Sequence, residues 1–376
     1  MKKVNIILLA LIVIAGMSCS GDNNKKQSKK VEGSFDKVYS VTGEEILNEE
    51  YNIAFFDFVD KYLLANLRNT DDYYFTLYET KTNKKVMGLF PHGKGPDEFS
   101  GGFSYQYCEK ENGRLYVWIL DYQKSLLYKT DITKSVEENK TVVDKVIKVG
   151  TKEGFYVDMD FYSVFYIDST KLVGSTSNMS LKMKRFVIYN PVEGKFVKTV
   201  PPFPKVENNN DDVGFIWYRY NSLYLAGFKM KPDKTKFASA MSMFNRVDIF
   251  DVDGNVLNSY IDKDNITESL IKEFLAVKEE NVKKVPVKNY YAGLYVTDSY
   301  IYALYHNKLS SDYKTSIPVQ IRIFTWDAEP VCTVKVPDYL QYITIDEKNG
   351  ILYGCAINDE KILKYDIKGI IDKISK

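Results

Sequence analysis

One segment type returns six times along this chain, and that recurrence narrows the fold more than any other feature. The segment is a short apolar-aromatic strand, a turn, and a second alternating strand. It reads YFTLYETKTNKKVMGLF at 74–90, SLLYKTDITKSVEENK at 125–140 and RFVIYNPVEGKFVKTV at 185–200. It returns as RVDIFDVDGNVLNSY at 246–260, IRIFTWDAEPVCTVKV at 321–336 and, truncated, KILKYDIKG at 361–369. An aromatic stands at the equivalent place in each: Tyr78, Tyr128, Tyr189, Phe250, Phe324 and Tyr365. Another strand-like run precedes each unit, among them YLLANL (62–67), RLYVWIL (114–120) and YIYALYHN (300–307). Before some of these stands a further run, as in AFFDFVD (54–60), FYSVFYID (161–168) and QYITIDE (341–347). Four antiparallel strands repeated at this period are the signature of a propeller blade. The expected fold is therefore all-β, a six-bladed β-propeller with four antiparallel strands per blade. A β-sandwich, the rival all-β fold, does not require six similar units in tandem.

The sixth unit supplies only three strands, and an open sheet edge is a liability. An N-terminal strand is expected to close the last blade, and FDKVYSV at 35–41 is the segment assigned to it. The long gap before Phe324 holds NITESLIKEFLAVKEE, 265–280. Leu270, Ile271, Phe274 and Leu275 fall on one helical face there, so a short helical insertion is expected between blades four and five.

The chain opens MKKVNIILLALIVIAGMSCS. Lys2 and Lys3 precede an apolar run that is short for a membrane span, which needs roughly twenty apolar residues. A charged start, a short apolar stretch and small residues before a cysteine resemble a bacterial lipoprotein signal peptide. The resemblance implies cleavage after residue 18 and lipidation of Cys19. The competing reading is an ordinary cleaved signal with a buried cysteine. After Cys19 the sequence SGDNNKKQSKK is polar and lysine-rich, and residues 19–33 read as a flexible tether. Residues 34–376 are expected to form one propeller domain. The expected address is the cell envelope, lipid-anchored, at the outer membrane and facing the periplasm or the cell surface.

Charge and cysteine content exclude several classes. The chain carries 51 basic and 50 acidic side chains, a balance unlike that of a nucleic-acid binder. Aromatics make up 14% of it, which suits strands and sheet packing. Beyond Cys19 there remain Cys108, Cys332 and Cys355, with no zinc spacing and no disulfide framework. Cys332 and Cys355 read either as a pair or as two buried thiols.

Between the first and second units lies FPHGKGPDEF, 90–99. A lipoprotein signal, six such blades and this stretch resemble the TolB-like six-bladed propeller lipoproteins of anaerobic Gram-negative bacteria. The shared motif is glycine-x-glycine-proline-x-glutamate-aromatic, here Gly93, Gly95, Pro96, Glu98 and Phe99. The resemblance covers essentially the whole mature chain and implies an envelope propeller. That family is mostly of unassigned activity; related propeller families bind partners or peptides, and others hydrolyse lactones with calcium, so the fold does not supply the function.

On the residues themselves, Gly93 and Gly95 suit a sharp crossover, Pro96 stiffens it, Glu98 can accept from loop N–H groups, and Phe99 can plug between blades. The functional reading places His92, Lys94 and Asp97 at a channel mouth as ligand contacts, with the loop N–H groups as an anion nest. Both readings stay open. A second candidate is GFIWYRYNSLY, 214–224, where Trp217, Arg219 and Tyr220 combine hot-spot chemistry on the crossover face. Its alternative is inter-blade packing with Arg219 bridging to a carboxylate.

His92 and His306 are the only histidines, far apart and without metal-ligand spacing. No nucleophile elbow is present. DVDGN at 251–255 reads as a hairpin turn, and Asp158 and Asp160 are candidates for a calcium site in the channel. The expected function is a non-catalytic binding or scaffold module for an envelope protein, peptide or glycan, monomeric, with no nucleic acid and no obligatory cofactor. The alternative is a calcium-dependent hydrolase or lyase at the channel mouth.

Overall fold

The computed structural model describes residues 29–47, 53–67, 72–150, 161–175, 186–200, 219, 222–224, 226–312 and 317–376. Among these, six sheets of antiparallel strands follow one another along the chain. Blade 1 comprises Ile53–Val59, Tyr62–Leu67, Tyr73–Glu79 and Lys85–Pro91. Blade 2 comprises Phe103–Glu111, Arg114–Asp121, Leu126–Asp131 and Val143–Lys148. Blade 3 comprises Ser163–Asp168, Lys171–Ser175, Phe186–Asn190 and Lys195–Val200. Blade 4 comprises Ala226–Met230, Lys236–Met241, Arg246–Asp251 and Val256–Ile261. Blade 5 comprises Lys288–Val296, Tyr300–Leu309, Val319–Thr325 and Pro330–Val336. Blade 6 takes Tyr342–Asp346, Ile351–Ala356 and Lys361–Asp366 from the C-terminal end and Gly43–Ile46 from the N-terminal end. The six-bladed propeller expected from the repeats is the fold.

The closing strand is not the segment the pattern offered. Gly43–Ile46, not FDKVYSV, pairs antiparallel with Lys361–Asp366. Its Glu44 and Glu45 face Lys364 and Lys361 at 3.2 and 3.4 Å, and Ile46 is buried at the seam with blade 1. Val38–Ser40, inside FDKVYSV, instead runs parallel to Pro330–Val336 as a fifth strand of blade 5. Lys29–Val31, read from sequence as tether, runs parallel to Val256–Ile261 as a fifth strand of blade 4. The N-terminal segment is thus a strap across three successive blades. Residues 1–18, Cys19 and the rest of the tether to residue 28 lie outside the described residues.

A second difference is in blade 2. SVEENK was expected to continue a strand, but Ile132–Glu138 is a helix, α1, capped by the Asp131 side chain accepting from Lys134 N at 2.8 Å. The outer strand comes later, at Val143–Lys148. The insertion near 265–280 is helical as expected, with Glu268–Ala276 as α2, followed by a 3-10 turn at Glu279–Lys284. Its Ile271 and Phe274 pack on Leu223, Met241 and Phe244. Asp251 in DVDGN accepts from the N–H groups of Asp253 and Asn255 at 2.9 and 2.8 Å, the geometry of a hairpin turn.

The recurring aromatics explain why the repeat exists. Each sits on the third strand of its blade and is nearly or wholly buried. Tyr78 packs between blades 6 and 1, Tyr128 between 1 and 2, and Tyr189 between 2 and 3. Phe250, Phe324 and Tyr365 occupy the next three interfaces. A twisted four-stranded sheet cannot bury both faces alone, so each blade uses one large ring to fill the layer against its predecessor.

Candidate functional site

The first strands of the six blades line the central channel. First strands of blades 4 and 5, 5 and 6, 6 and 1, and 2 and 3 contact one another, and with the blades following in chain order this sets blades 1 and 4 opposite across the channel, as it does blades 2 and 5. Chain direction puts the blade-to-blade crossovers on one face of the disc. A cavity of about 940 Å³ opens at that face and runs down the channel.

Its floor is polar. Asp57 of blade 1 and Lys229 of blade 4 meet there, with Nζ 3.7 Å from Oδ2. That is an ion pair but too long for a hydrogen bond. The other Asp57 oxygen accepts from Thr344 Oγ1 at 3.0 Å, and Thr344 Oγ1 accepts from Phe58 N at 2.8 Å. Tyr105 of blade 2 and Tyr295 of blade 5 complete the floor, and the Tyr295 hydroxyl donates to the Phe58 carbonyl at 3.4 Å. Asp57 is only 6% exposed, and burial pushes its carboxyl up to about 6 against the pull of Lys229. Burial also holds the Tyr105 and Tyr295 phenols well above their ordinary value, and raises the adjacent Cys108 thiol to about 12. Toward the opposite face, Lys234 of blade 4 reaches Glu109 of blade 2 at 2.7 Å.

The wall above the floor mixes rings and amides. Tyr162 and Tyr342 are 40% and 44% exposed, and Tyr342 stands 6.4 Å from the Phe55 ring. Asn66, Ser163, Ser242, Asn289 and Gln341 also line it. Blade 5 contributes backbone. Its first strand shifts register twice, between Asn289 and Tyr291 and between Tyr291 and Gly293. An added Cβ at Gly293 would meet nothing. Bulges and a bare glycine on an inner strand leave main chain open to close approach. On the blade 5–6 side, His306 Nε2 lies 2.8 Å from the Leu340 carbonyl. Burial lowers its pKa to about 4, so it is neutral at pH 7. Lys308 lies 4.0 Å above the Tyr339 ring.

The residues singled out in the sequence are dispersed. FPHGKGPDEF does form the crossover from blade 1 to blade 2, but none of residues 92–99 lines the cavity. Glu98 folds back so that Gly95 N donates to its Oε2 at 2.8 Å. Gly93 has φ 152°, and a Cβ there would fall 1.8 Å from the Glu98 carboxylate. Phe99 packs 4.7 Å from Phe90, between blades 1 and 2. The His92 ring lies on Tyr74 at 3.8 Å, whereas Lys94 and Asp97 are exposed. Arg219 is 3% exposed and donates to the carbonyls of Phe274, Leu275 and Val277 at the end of α2, with Glu279 at 3.1 Å. Its guanidinium is engaged by the inserted helix. Trp217 and Tyr220, like Asp158 and Asp160, lie outside the described residues.

Asp57, Lys229, Tyr105 and Tyr295 were missed. A signal existed for Asp57, a charge in the middle of the aromatic strand AFFDFVD. The first strands of blades 2 and 4 were not located from sequence, so Tyr105 and Lys229 had no address. Cys332 and Cys355 are both buried thiols and are not joined in a disulfide. Among the described residues no three His, Cys, Asp or Glu side chains cluster as metal ligands, and Asp57 is the one carboxylate on the cavity wall. Calcium takes about six to eight oxygen ligands, more than the described lining residues bring together.

No protein-family model matches the chain. No curated protein matches it either. Among solved structures it is similar to a member of the DUF4221 family from Bacteroides vulgatus, with a TM-score of 0.53 and 13% identity. That match covers 90% of this chain and 98% of the other. It is also similar to a protein of Bacteroides fragilis described as exported, with a TM-score of 0.52 and 8% identity, covering 87% and 98%. At these identities the likeness is one of fold.

Proposed function

We propose that this propeller is a non-catalytic binding module of the cell envelope, hung from a membrane by a lipid on Cys19. Its central cup receives part of a glycan, peptide or protein partner. The observation that carries this reading is the cup itself, open on the crossover face and lined by exposed tyrosines and amides above a charged floor. Concave sites of this size with a few convergent polar groups are the default place for ligands. The N-terminal sequence supports the address, as does the description of the Bacteroides fragilis neighbour as exported. The GKGPDEF loop and the six blades support kinship with the TolB-like propeller lipoproteins. In this reading Lys94 and Asp97 on the crossover face, with Trp217 and Tyr220, add rim contacts for a larger partner.

The full-length protein is to be screened by equilibrium binding against glycan and peptide panels. At least one ligand should bind, and Tyr162→Ala with Tyr342→Ala should weaken it tenfold or more without changing the melting temperature. Binding indifferent to both tyrosines would remove the cup from the function. Cys19→Ser should release the protein from the membrane fraction, and retention there would remove the anchor.

A further inference from the structure

We infer that the cup recognises an acidic saccharide, whose carboxylate binds the Lys229 ammonium at the floor in place of Asp57. This rests on the binding reading above and names its ligand class. Three observations converge. Lys229 is the floor cation, its side chain is 27% exposed, and its nearest carboxylate oxygen is 3.7 Å away. At that distance Asp57 is an ion-pair partner and not a close hydrogen-bond acceptor, so an incoming carboxylate at hydrogen-bonding distance can compete for the ammonium. Asp57 holds its other oxygen on Thr344, so its place does not depend on Lys229 alone. The walls supply Tyr162, Tyr342 and Phe55 as faces for sugar rings, and Asn289 and Gln341 as partners for hydroxyls. An extended peptide would instead seek an unpaired strand edge running along its length. The first strands are the edge strands of their blades, and those edges pack against neighbouring first strands around the channel.

The exchange is linked to protons. The groups facing Asp57 are Lys229 from blade 4, Thr344 from blade 6, Tyr105 and Cys108 from blade 2, and Tyr295 from blade 5. The phenols and the thiol stay neutral below pH 8, so Asp57 alone changes charge between pH 5.5 and 7.5. A uronic acid is ionised throughout that range. Protonating Asp57 removes both its claim on Lys229 and its repulsion of the incoming carboxylate. Binding should therefore strengthen as pH falls and should take up a proton. With Asp57 titrating at about 6, affinity rises about 25-fold from pH 7.5 to 5.5 if only the neutral form admits the ligand.

The test is calorimetry on the full-length protein with oligogalacturonate, oligoglucuronate and oligomannuronate. Their methyl esters, a neutral cello-oligosaccharide and a glutamate-rich peptide are the controls. At least one acidic oligosaccharide should bind tenfold or more tighter than its ester. Lys229→Met should abolish that preference, and Lys229→Arg should keep part of it. Asp57→Asn, which preserves the Thr344 contact, should bind at pH 7.5 as the parent does at pH 5.5 and lose the pH dependence. Equal binding of acid, ester and neutral sugar overturns the carboxylate assignment but leaves the cup as a binding site. Binding of the peptide alone overturns the saccharide. No binding by any uronate overturns the inference, as does a Lys229→Met variant that keeps the preference.

Discussion

Asp57 and His306 titrate in one pH window with opposite effects on stability. Burial raises the Asp57 carboxyl from 3.8 to about 6, so the folded state holds a proton that the unfolded chain releases. Its penalty is absent below pH 4 and fully present above pH 6, so stability falls as pH rises between them. Burial lowers His306 from 6.5 to about 4, with Lys308 adding to the shift. Its penalty is present below pH 4 and gone above 6.5, so stability rises with pH over nearly the same range. Each contributes about 3 kcal/mol at the unfavourable end, so in the parent they largely cancel. Asp57→Asn should unmask the histidine and give stability that climbs from pH 4 to 6.5. His306→Gln should unmask the aspartate and give stability that declines. Urea denaturation of the three proteins at pH 4, 5.5 and 7 separates them, and parallel pH profiles would show that neither group is desolvated as described.

At the scale of elements, legibility followed the origin of each signal. The third strands were readable because each must place one large ring in the layer against its neighbour, and that demand writes an aromatic at a fixed place. The helix α2 was readable because it buries one face, with Ile271 and Phe274 inward. The strap was not readable, since a fifth strand needs little burial. Lys29–Val31 buries Val31 alone and Val38–Ser40 has no fully buried side chain. The helix α1 was mistaken for strand because its start depends on one cap, Asp131, in a polar stretch. The candidate site was hardest, because its residues come from the first strands of all six blades and share no sequence neighbourhood. Arg219 shows the opposite error, since hot-spot composition there serves an element rather than a ligand. Arg219→Ala should uncap the end of α2 and cost about 1–3 kcal/mol, the usual loss when buried acceptors lose their donor. Hydrogen exchange should rise across 268–284 with the blades unchanged. A loss of protection throughout the ring would mean that the insertion braces the propeller rather than riding on blade 4.

A propeller's stability is that of a closed ring of interfaces, so the cost of a change depends on whether it opens the circle. Phe324 fills the layer between blades 4 and 5 with Tyr260 at 5.2 Å. Phe324→Ala should cost about 3–5 kcal/mol, and thermal unfolding should show the loss in one cooperative step. The N-terminal strap offers a sharper comparison, because two of its residues have similar burial and different topology. Ile46 is 6% exposed on the strand that joins the chain's two ends in blade 6. Val31 is 7% exposed on a strand that only widens blade 4. If burial alone mattered, the two would differ only by the size of the side chain removed. If closure matters, Ile46→Ala weakens the strand pairing that ties the N-terminal segment into the last blade. The seam with blade 1 then loosens, where Thr344 of blade 6 accepts from Phe58 N and donates to Asp57. Ile46→Ala should therefore lower the global melting temperature and raise hydrogen exchange in both blades 6 and 1. Val31→Ala should raise it only at 29–31 and along Val256–Ile261. Exchange in Ile46→Ala that stays confined to 43–46 would show that the other strands of blade 6 hold the circle without their partner. The cup floor would then be insulated from the seam.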